Sequence, residues 1–231
     1  MSDAELKQKL ATCWRILNKL GLFDIYGHIS CRVPGSDTFY ITATLGSTKE
    51  VFKPDSLVLC DYTGKKLGGN GTVPLEVVLH SVLHKTREDA VCVAHVHPYY
   101  SMALAIAGIP FSPVTLQGAP LGDGVPVYEK SEILVNEEHG KKLLGAVGSA
   151  KAILLRGHGV ITVGASIEET TYLTIYLEEN CKYLLEAAKA GKAVPLTREE
   201  IKERMDQMAE SAKKGNPYKR IFDLFDEKTR Q

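Results

Sequence analysis

The sequence lacks an excess of charge of either sign. Lysine plus arginine number 28, aspartate plus glutamate also number 28, and the formal net charge at pH 7 is therefore zero. A balanced chain argues against nucleic acid or an anionic membrane as a partner. No apolar run is long enough to span a bilayer, and the charged first residues are unlike a signal peptide. We therefore expect a cytoplasmic protein with no nucleic-acid or membrane partner.

Cysteine is also scarce. The five cysteines are scattered along the chain, odd in number, and never spaced as C-x-x-C. This distribution argues against a disulfide framework and against a cysteine-based zinc site. We expect all five to be small, buried hydrophobic residues in a reducing compartment.

With 231 residues, of which 44% are hydrophobic, the chain can bury one large core. We predict a single domain over 1–231 with a C-terminal helical tail over 197–231. Capping pairs at Ser2, Ser166 and Thr197 predict three helix starts, and 131–147 is predicted as another helix. Short β-branched runs predict a partly antiparallel sheet, so the fold class is α/β (α+β). The Pro/Gly-rich stretch 109–128 is predicted to be mainly loop.

Three histidines follow two apolar runs. His95 and His97 end the run 90–94, and on a strand side chains at i and i+2 leave the same face. His158 lies between Gly157 and Gly159 after the second run, 152–155, where the glycines allow a sharp turn. Three neutral imidazoles with one open position describe a catalytic zinc-type site, with manganese, cobalt or iron as alternatives.

The opposite interpretation is that these are hydrogen-bonded core histidines, since H-x-H is a short pattern that arises by chance.

A helix beginning near Pro74 carries Glu76, His80 and His84 on one face. Ser81 stands where a zinc protease needs glutamate, so we predict structural roles for His80 and His84.

The motifs resemble those of the class II aldolase/adducin family over about residues 5–190. The resemblance is carried by the segments 27–30 (GHIS), 41–44 (ITAT) with Gly46, 75–76 (LE), 95–97 (HVH) and 156–159 (RGHG). It implies a three-layer fold, with a central, mainly antiparallel sheet flanked by helices, usually in a homotetramer with active sites between subunits. It also implies a small-molecule substrate.

The resemblance implies that His95, His97 and His158 ligate one divalent metal ion and that Glu76 is the catalytic acid/base. Independently, breaking a carbon–carbon bond beside a carbonyl leaves an enolate, whose charge a divalent ion stabilises as a Lewis acid. A carboxylate can then move the proton. The implied chemistry and the residue types therefore agree.

The chain departs from the sugar-phosphate aldolases of the family at positions that hold phosphate. Pro74 and Leu75 replace hydroxyl residues before the glutamate, and His28 replaces an asparagine. Apolar side chains cannot satisfy phosphate oxygens, whereas His28 could receive a carboxylate or a phenolate. Thr44 and Ser47 remain as hydroxyl donors. The candidate substrate-binding residues are Gly27, His28, Thr44, Gly46, Ser47 and Leu75.

We therefore predict a divalent-metal-dependent carbon–carbon lyase, a decarboxylase or aldolase, that acts on a small, non-phosphorylated hydroxy or oxo acid. The alternatives are a sugar-phosphate aldolase of the fuculose-phosphate type and a metal-dependent dehydratase, epimerase or oxygenase. A non-enzymatic, adducin-like role is disfavoured because all three histidines and Glu76 are present.

Overall fold

The structure is a computed structural model that describes residues 1–44 and 53–230. Two short 3₁₀ helices, Pro54–Ser56 and Leu116–Leu121, accompany the main elements. In chain order the main elements are α1 Asp3–Lys19, β1 His28–Arg32, β2 Thr38–Thr42, β3 Leu57–Asp61, β4 Lys66–Gly68, α2 Val77–Thr86, β5 Cys92–Val96, α3 Tyr99–Ile106, β6 Val127–Tyr128, α4 Glu137–Val147, β7 Ala152–Leu155, β8 Gly159–Gly164, α5 Ile167–Ala190, α6 Arg198–Ala212 and α7 Pro217–Thr229.

The eight strands form one sheet in the order β4-β3-β2-β1-β5-β8-β7-β6. Every pairing is antiparallel except that of β6 with β7. Alternate residues of β5 face opposite sides: Ala94 and Val96 pack with α1, α3 and α5, whereas Val93 packs with α2 and α4. The predicted sheet with helices on both faces is confirmed.

The three helix starts predicted from capping pairs are confirmed. Ser2 and Thr197 each form a reciprocal capping box with the glutamate three residues later, and Ser166 Oγ accepts a hydrogen bond from the Glu169 amide. Such a cap is worth about 1 kcal/mol because it satisfies an amide with no partner inside the helix. All five cysteines are buried and free, and burial raises the pKa of Cys181 to about 12.

Several boundaries differ from the predictions. The helix predicted over 131–147 begins only at Glu137, because the Asn136 side chain caps it by accepting from the His139 amide. Helix α2 begins at Val77 rather than Pro74. Strand β6 lies in the stretch 109–128 that is predicted to be mainly loop. Pairing with β7 overrides the weak local preference there.

The C-terminal segment forms α6 and α7. Phe222 of α7 is buried in the core beside residues of α1 and α5, and Arg15 pairs with Asp226. The division of the chain into one domain with a tail over 197–231 stays a prediction. Within the described residues, no helix combines the length and apolar character needed to cross a membrane.

A chain of buried polar side chains joins β1 to α2. Ser30 Oγ lies 2.6 Å from His80 Nδ1 and 2.6 Å from His84 Nε2, and His28 Nδ1 lies 2.6 Å from His80 Nε2. His84 Nδ1 lies 2.7 Å from the Ala90 carbonyl oxygen. His28 and Ser30, two residues apart on β1, are separated by about 6.7 Å along the strand, and His80 and His84, four residues apart on α2, by about 6 Å along the helix. Because these spacings are similar, the two pairs of side chains alternate and contact each other. His80 and His84 are therefore hydrogen-bonded core residues.

Acid should destabilise the protein through His84. Burial lowers its pKa to about 3 from 6.5, so between these values the unfolded chain binds a proton that the folded chain does not. Stability then rises with pH, by up to about 1.4 kcal/mol per pH unit for one proton. In urea titrations of metal-free protein between pH 4 and 6.5, His84→Gln should flatten this slope.

Ser81→Ala, on the same helix, removes no titrating group and serves as the control. An unchanged slope in His84→Gln would remove His84 from the acid response.

Candidate metal centre and active site

Three histidines converge where β5 ends beside the turn between β7 and β8. His95 is in β5, His97 follows its last residue, and His158 lies in the turn. The ring centroid of His95 is 4.8 Å from that of His97 and 4.9 Å from that of His158. One nitrogen from each ring lies within 4.8 Å of the other two. The three candidate ligands are thus brought together.

Outer hydrogen bonds determine the tautomers of two rings. His95 Nδ1 lies 3.1 Å from the Val160 carbonyl oxygen, and His97 Nδ1 lies 2.8 Å from Asp24 Oδ1. Both acceptors require a protonated Nδ1, which leaves Nε2 of each neutral ring without a proton. These two Nε2 atoms are only 3.1 Å apart.

This donor set fits a divalent cation. A tetrahedral zinc ion with nitrogen ligands at about 2.0–2.1 Å separates them by about 3.3 Å. The spacing between the two Nε2 atoms is close to that value, and their lone pairs have no proton between them. The residues present could therefore hold the divalent metal that the family resemblance implies.

Asp24 is a residue that sequence reasoning missed. Its Oδ1 accepts from the amides of Tyr26 and Gly27 as well as from His97. Burial opposes ionisation of Asp24, but the hydrogen bond from His97 outweighs it and lowers the pKa. The sequence signal was an aspartate three residues before a glycine, which indicates a turn but does not reveal the histidine.

Glu76 lies beside the histidines and immediately before the first residue of α2. Its Oε1 accepts from the Leu134 amide at 2.8 Å, and its Oε2 lies 3.3 Å from His158 Nε2 and 3.5 Å from His95 Nε2. Burial would raise the pKa of Glu76, but the hydrogen bond from His158, together with the nearby His95 ring, outweighs it and lowers the pKa. Glu76 is therefore an ionised carboxylate with one oxygen held and the other directed at the cluster.

Glu76, His97 and His158 line a cavity of about 490 Å³. Of the predicted substrate-binding residues, Gly27, His28, Thr44 and Leu75 line it. Gly46 and Ser47 lie outside the described residues. In the part of the chain that the structure describes, no lysine or arginine lines this cavity. The apolar lining residues that the sequence did not predict are Ile25, Tyr26, Met102 and Ile133.

Sheet and centre together define a class of protein, an α/β chain whose mainly antiparallel sheet carries histidines and a glutamate able to hold a divalent cation. A family model described as the Class II Aldolase and Adducin N-terminal domain matches residues 8–185. The chain belongs to the class II aldolase/adducin family, as the motifs predicted.

The comparisons with individual proteins agree with this membership. The chain is 28% identical over 207 residues to a 3,4-dihydroxyphthalate decarboxylase of Arthrobacter keyseri, covering 84% of this chain and 83% of that protein. A solved aldolase II superfamily protein from Pseudomonas syringae is 26% identical, with a TM-score of 0.81 and coverage of 98% and 92%. An L-fuculose 1-phosphate aldolase is 22% identical, with a TM-score of 0.78 and coverage of 90% and 97%.

Gly159→Ala should weaken metal binding. A Cβ at this position would lie 2.6 Å from His97 Cδ2 and 2.7 Å from the Val96 carbonyl oxygen, so His97 must move. We expect zinc affinity to fall about 10- to 100-fold, as for other changes that displace a ligand. Competition with a chromophoric chelator measures it.

Gly145→Ala is the matched control, because a Cβ there meets nothing within 4 Å. Equal affinity in both variants would contradict the crowding argument.

Asp24→Asn should weaken metal binding by a different route. The asparagine oxygen can still accept the two turn amides, but the charge that fixes the His97 ring is lost. We expect about a tenfold or greater loss of zinc affinity with little change in melting temperature. Asp123→Asn, on the surface, should match wild type, and an unaffected Asp24→Asn would show that the carboxylate does not support the ligand.

Proposed function

We propose that this protein is a divalent-metal-dependent carbon–carbon lyase, a decarboxylase or aldolase, acting on a small hydroxy or oxo acid without a phosphate group. The observation that carries the proposal is the meeting of three imidazoles and an ionised carboxylate beside a cavity with a largely apolar lining. We assign His95, His97 and His158 as metal ligands and Glu76 as the acid/base residue. Zinc is our first choice of metal, with manganese, cobalt and iron as alternatives.

The walls of the cavity support a substrate without phosphate. Phosphate sites normally contain arginine, lysine or several hydroxyl donors. The described lining offers two hydroxyls, those of Thr44 and Tyr26, and no lysine or arginine, while Leu75 and Ile133 present apolar surface. The decarboxylase relative, which is named for an aromatic dihydroxy diacid, supports the same choice.

The metal ligands and Glu76 have different roles in the proposed reaction. A divalent cation bound by the histidines would supply Lewis-acid stabilisation of negative charge on substrate oxygen. Oε2 of Glu76 accepts a proton from a substrate hydroxyl. The carbon–carbon bond then breaks, one fragment leaves as carbon dioxide or an aldehyde, and the bond pair stays on the carbon of the other fragment. Glu76 then returns the proton to that carbon. The Leu134 amide keeps Oε1 fixed, so Oε2 is the atom that exchanges the proton.

We also propose a homotetramer with active sites at subunit interfaces. Its support is the apolar mouth of the cavity, where Tyr26, Leu75 and Ile133 are 71%, 72% and 58% exposed. A neighbouring subunit would bury such a surface.

The test combines metal analysis with product release. Purified protein, loaded in turn with zinc, manganese, cobalt or iron, is offered non-phosphorylated hydroxy acids and a sugar phosphate, with carbon dioxide and aldehyde as readouts. We expect turnover of a hydroxy acid. Glu76→Gln should keep the metal and lose turnover by at least about 100-fold, because it cannot take the proton. His95→Ala should lose the metal.

Glu132→Gln, at a glutamate outside the cavity lining, is the control and should keep both. Cleavage of the sugar phosphate alone would support the aldolase alternative, and oxygen consumption with iron would support an oxygenase. Absence of any stoichiometric metal, or a near-normal rate in Glu76→Gln, would refute the proposal.

A further inference from the structure

The hydrogen-bond chain from α2 to the cavity has a fixed direction. Its inner end is the Ala90 carbonyl oxygen, which can only accept, so His84 Nδ1 must donate. His84 is neutral, and its Nε2 therefore accepts the single proton of Ser30. The Ser30 oxygen is then free to accept from Nδ1 of His80.

The same reasoning assigns the donor and the acceptor of the hydrogen bond between His28 and His80. His80 is fully buried and forms no hydrogen bond to a carboxylate among the described residues, so a charged His80 would be costly. As a neutral ring that donates through Nδ1, it accepts through Nε2, and His28 Nδ1 is the donor. The Nε2 of His28 therefore carries a lone pair.

Among the residues that the structure describes, that lone pair has no partner. His28 is only 3% exposed and lines the cavity, and its Nε2 makes no hydrogen bond to a described residue. A ring nitrogen of His28 lies within 4.8 Å of one from His95 and a carboxylate oxygen of Glu76. An acceptor in the cavity lining that has no partner among the described residues, and that lies beside the reaction centre, favours a ligand that brings a donor.

We propose that His28 selects the substrate by accepting a hydrogen bond from a hydroxyl adjacent to the oxygen that faces the histidine cluster. The substrate class is then a vicinal dihydroxy acid, and the apolar walls favour an ortho-dihydroxy aromatic one. This deepens the proposed function and rests on it for the position of the first oxygen. It also changes the expectation for His28, because an acceptor nitrogen does not bind a carboxylate or a phenolate.

The first experiment reads the tautomers by long-range ¹H–¹⁵N correlation of ring-labelled protein, with and without zinc. We expect His28, His80 and His84 to be protonated at Nδ1 only. Ser30→Ala should give His28 mixed tautomers because it interrupts the chain, whereas Ser30→Thr keeps the hydroxyl and should restore one tautomer. A proton on His28 Nε2, or a zinc-dependent shift showing that this nitrogen ligates the metal, would overturn the proposal.

The second experiment measures binding of 3,4-dihydroxybenzoate and 4-hydroxybenzoate to zinc-loaded protein by calorimetry. Wild type should prefer the dihydroxy ligand about tenfold or more, as expected for one hydrogen bond to a buried acceptor. His28→Leu should reduce the preference to about threefold or less. Leu75→Ala is the matched control and should weaken both ligands while keeping the preference.

A preference that survives in His28→Leu would mean that both oxygens bind zinc, and the proposal would fail. The spectra of the zinc-free protein distinguish failure of the His28 proposal from failure of the lyase proposal, because they report the His28 tautomer whether or not the protein is a lyase.

Discussion

Two imidazole nitrogens without protons face each other across 3.1 Å, and the site depends on how this contact is balanced. The Nδ1 protons of His95 and His97 are committed to Val160 and Asp24, so as long as both rings are neutral neither can turn the contact into a hydrogen bond. A divalent cation between the nitrogens would use both lone pairs and remove the repulsion. The Val160 carbonyl oxygen and Asp24 therefore orient the two rings and also favour the binding of a cation between them.

The middle of the sheet makes this arrangement rigid. β5 lies between β1 and β8, which pairs His95 with His28 on one side and with Ile161 on the other. The His95 side chain is held because it is fully buried and its Nδ1 is bonded to the Val160 carbonyl oxygen. Both neighbouring strands contact helices on each face, β8 through its apolar residues and β1 through Ile29 on one face and Ser30 on the other. Functional groups on central strands are held more closely than groups on loops, and precise placement is what catalysis needs.

The same centre links the lyase proposal to the selection proposal. Glu76 and His28 approach the cluster from α2 and β1, one as a held carboxylate and the other as an acceptor fixed by the chain through Ser30. The sugar-phosphate aldolases of the family hold phosphate at positions that Leu75 and His28 occupy in this cavity. Its chemistry therefore favours an apolar ring carrying hydroxyl donors over a phosphate.

The sequence by itself determined the helix caps, the main strands, the family and the candidate set of Glu76 and three histidines, because strand alternation, capping and short motifs are local. Only the tertiary structure revealed Asp24 beside His97, Leu134 beside Glu76, and the direction of hydrogen bonds that ends at His28. The first two contacts join residues 73 and 58 positions apart, and the third joins β1 to α2 across 50 to 54 positions. Local patterns carry no information about such contacts, since strand pairing and helix packing bring the partners together.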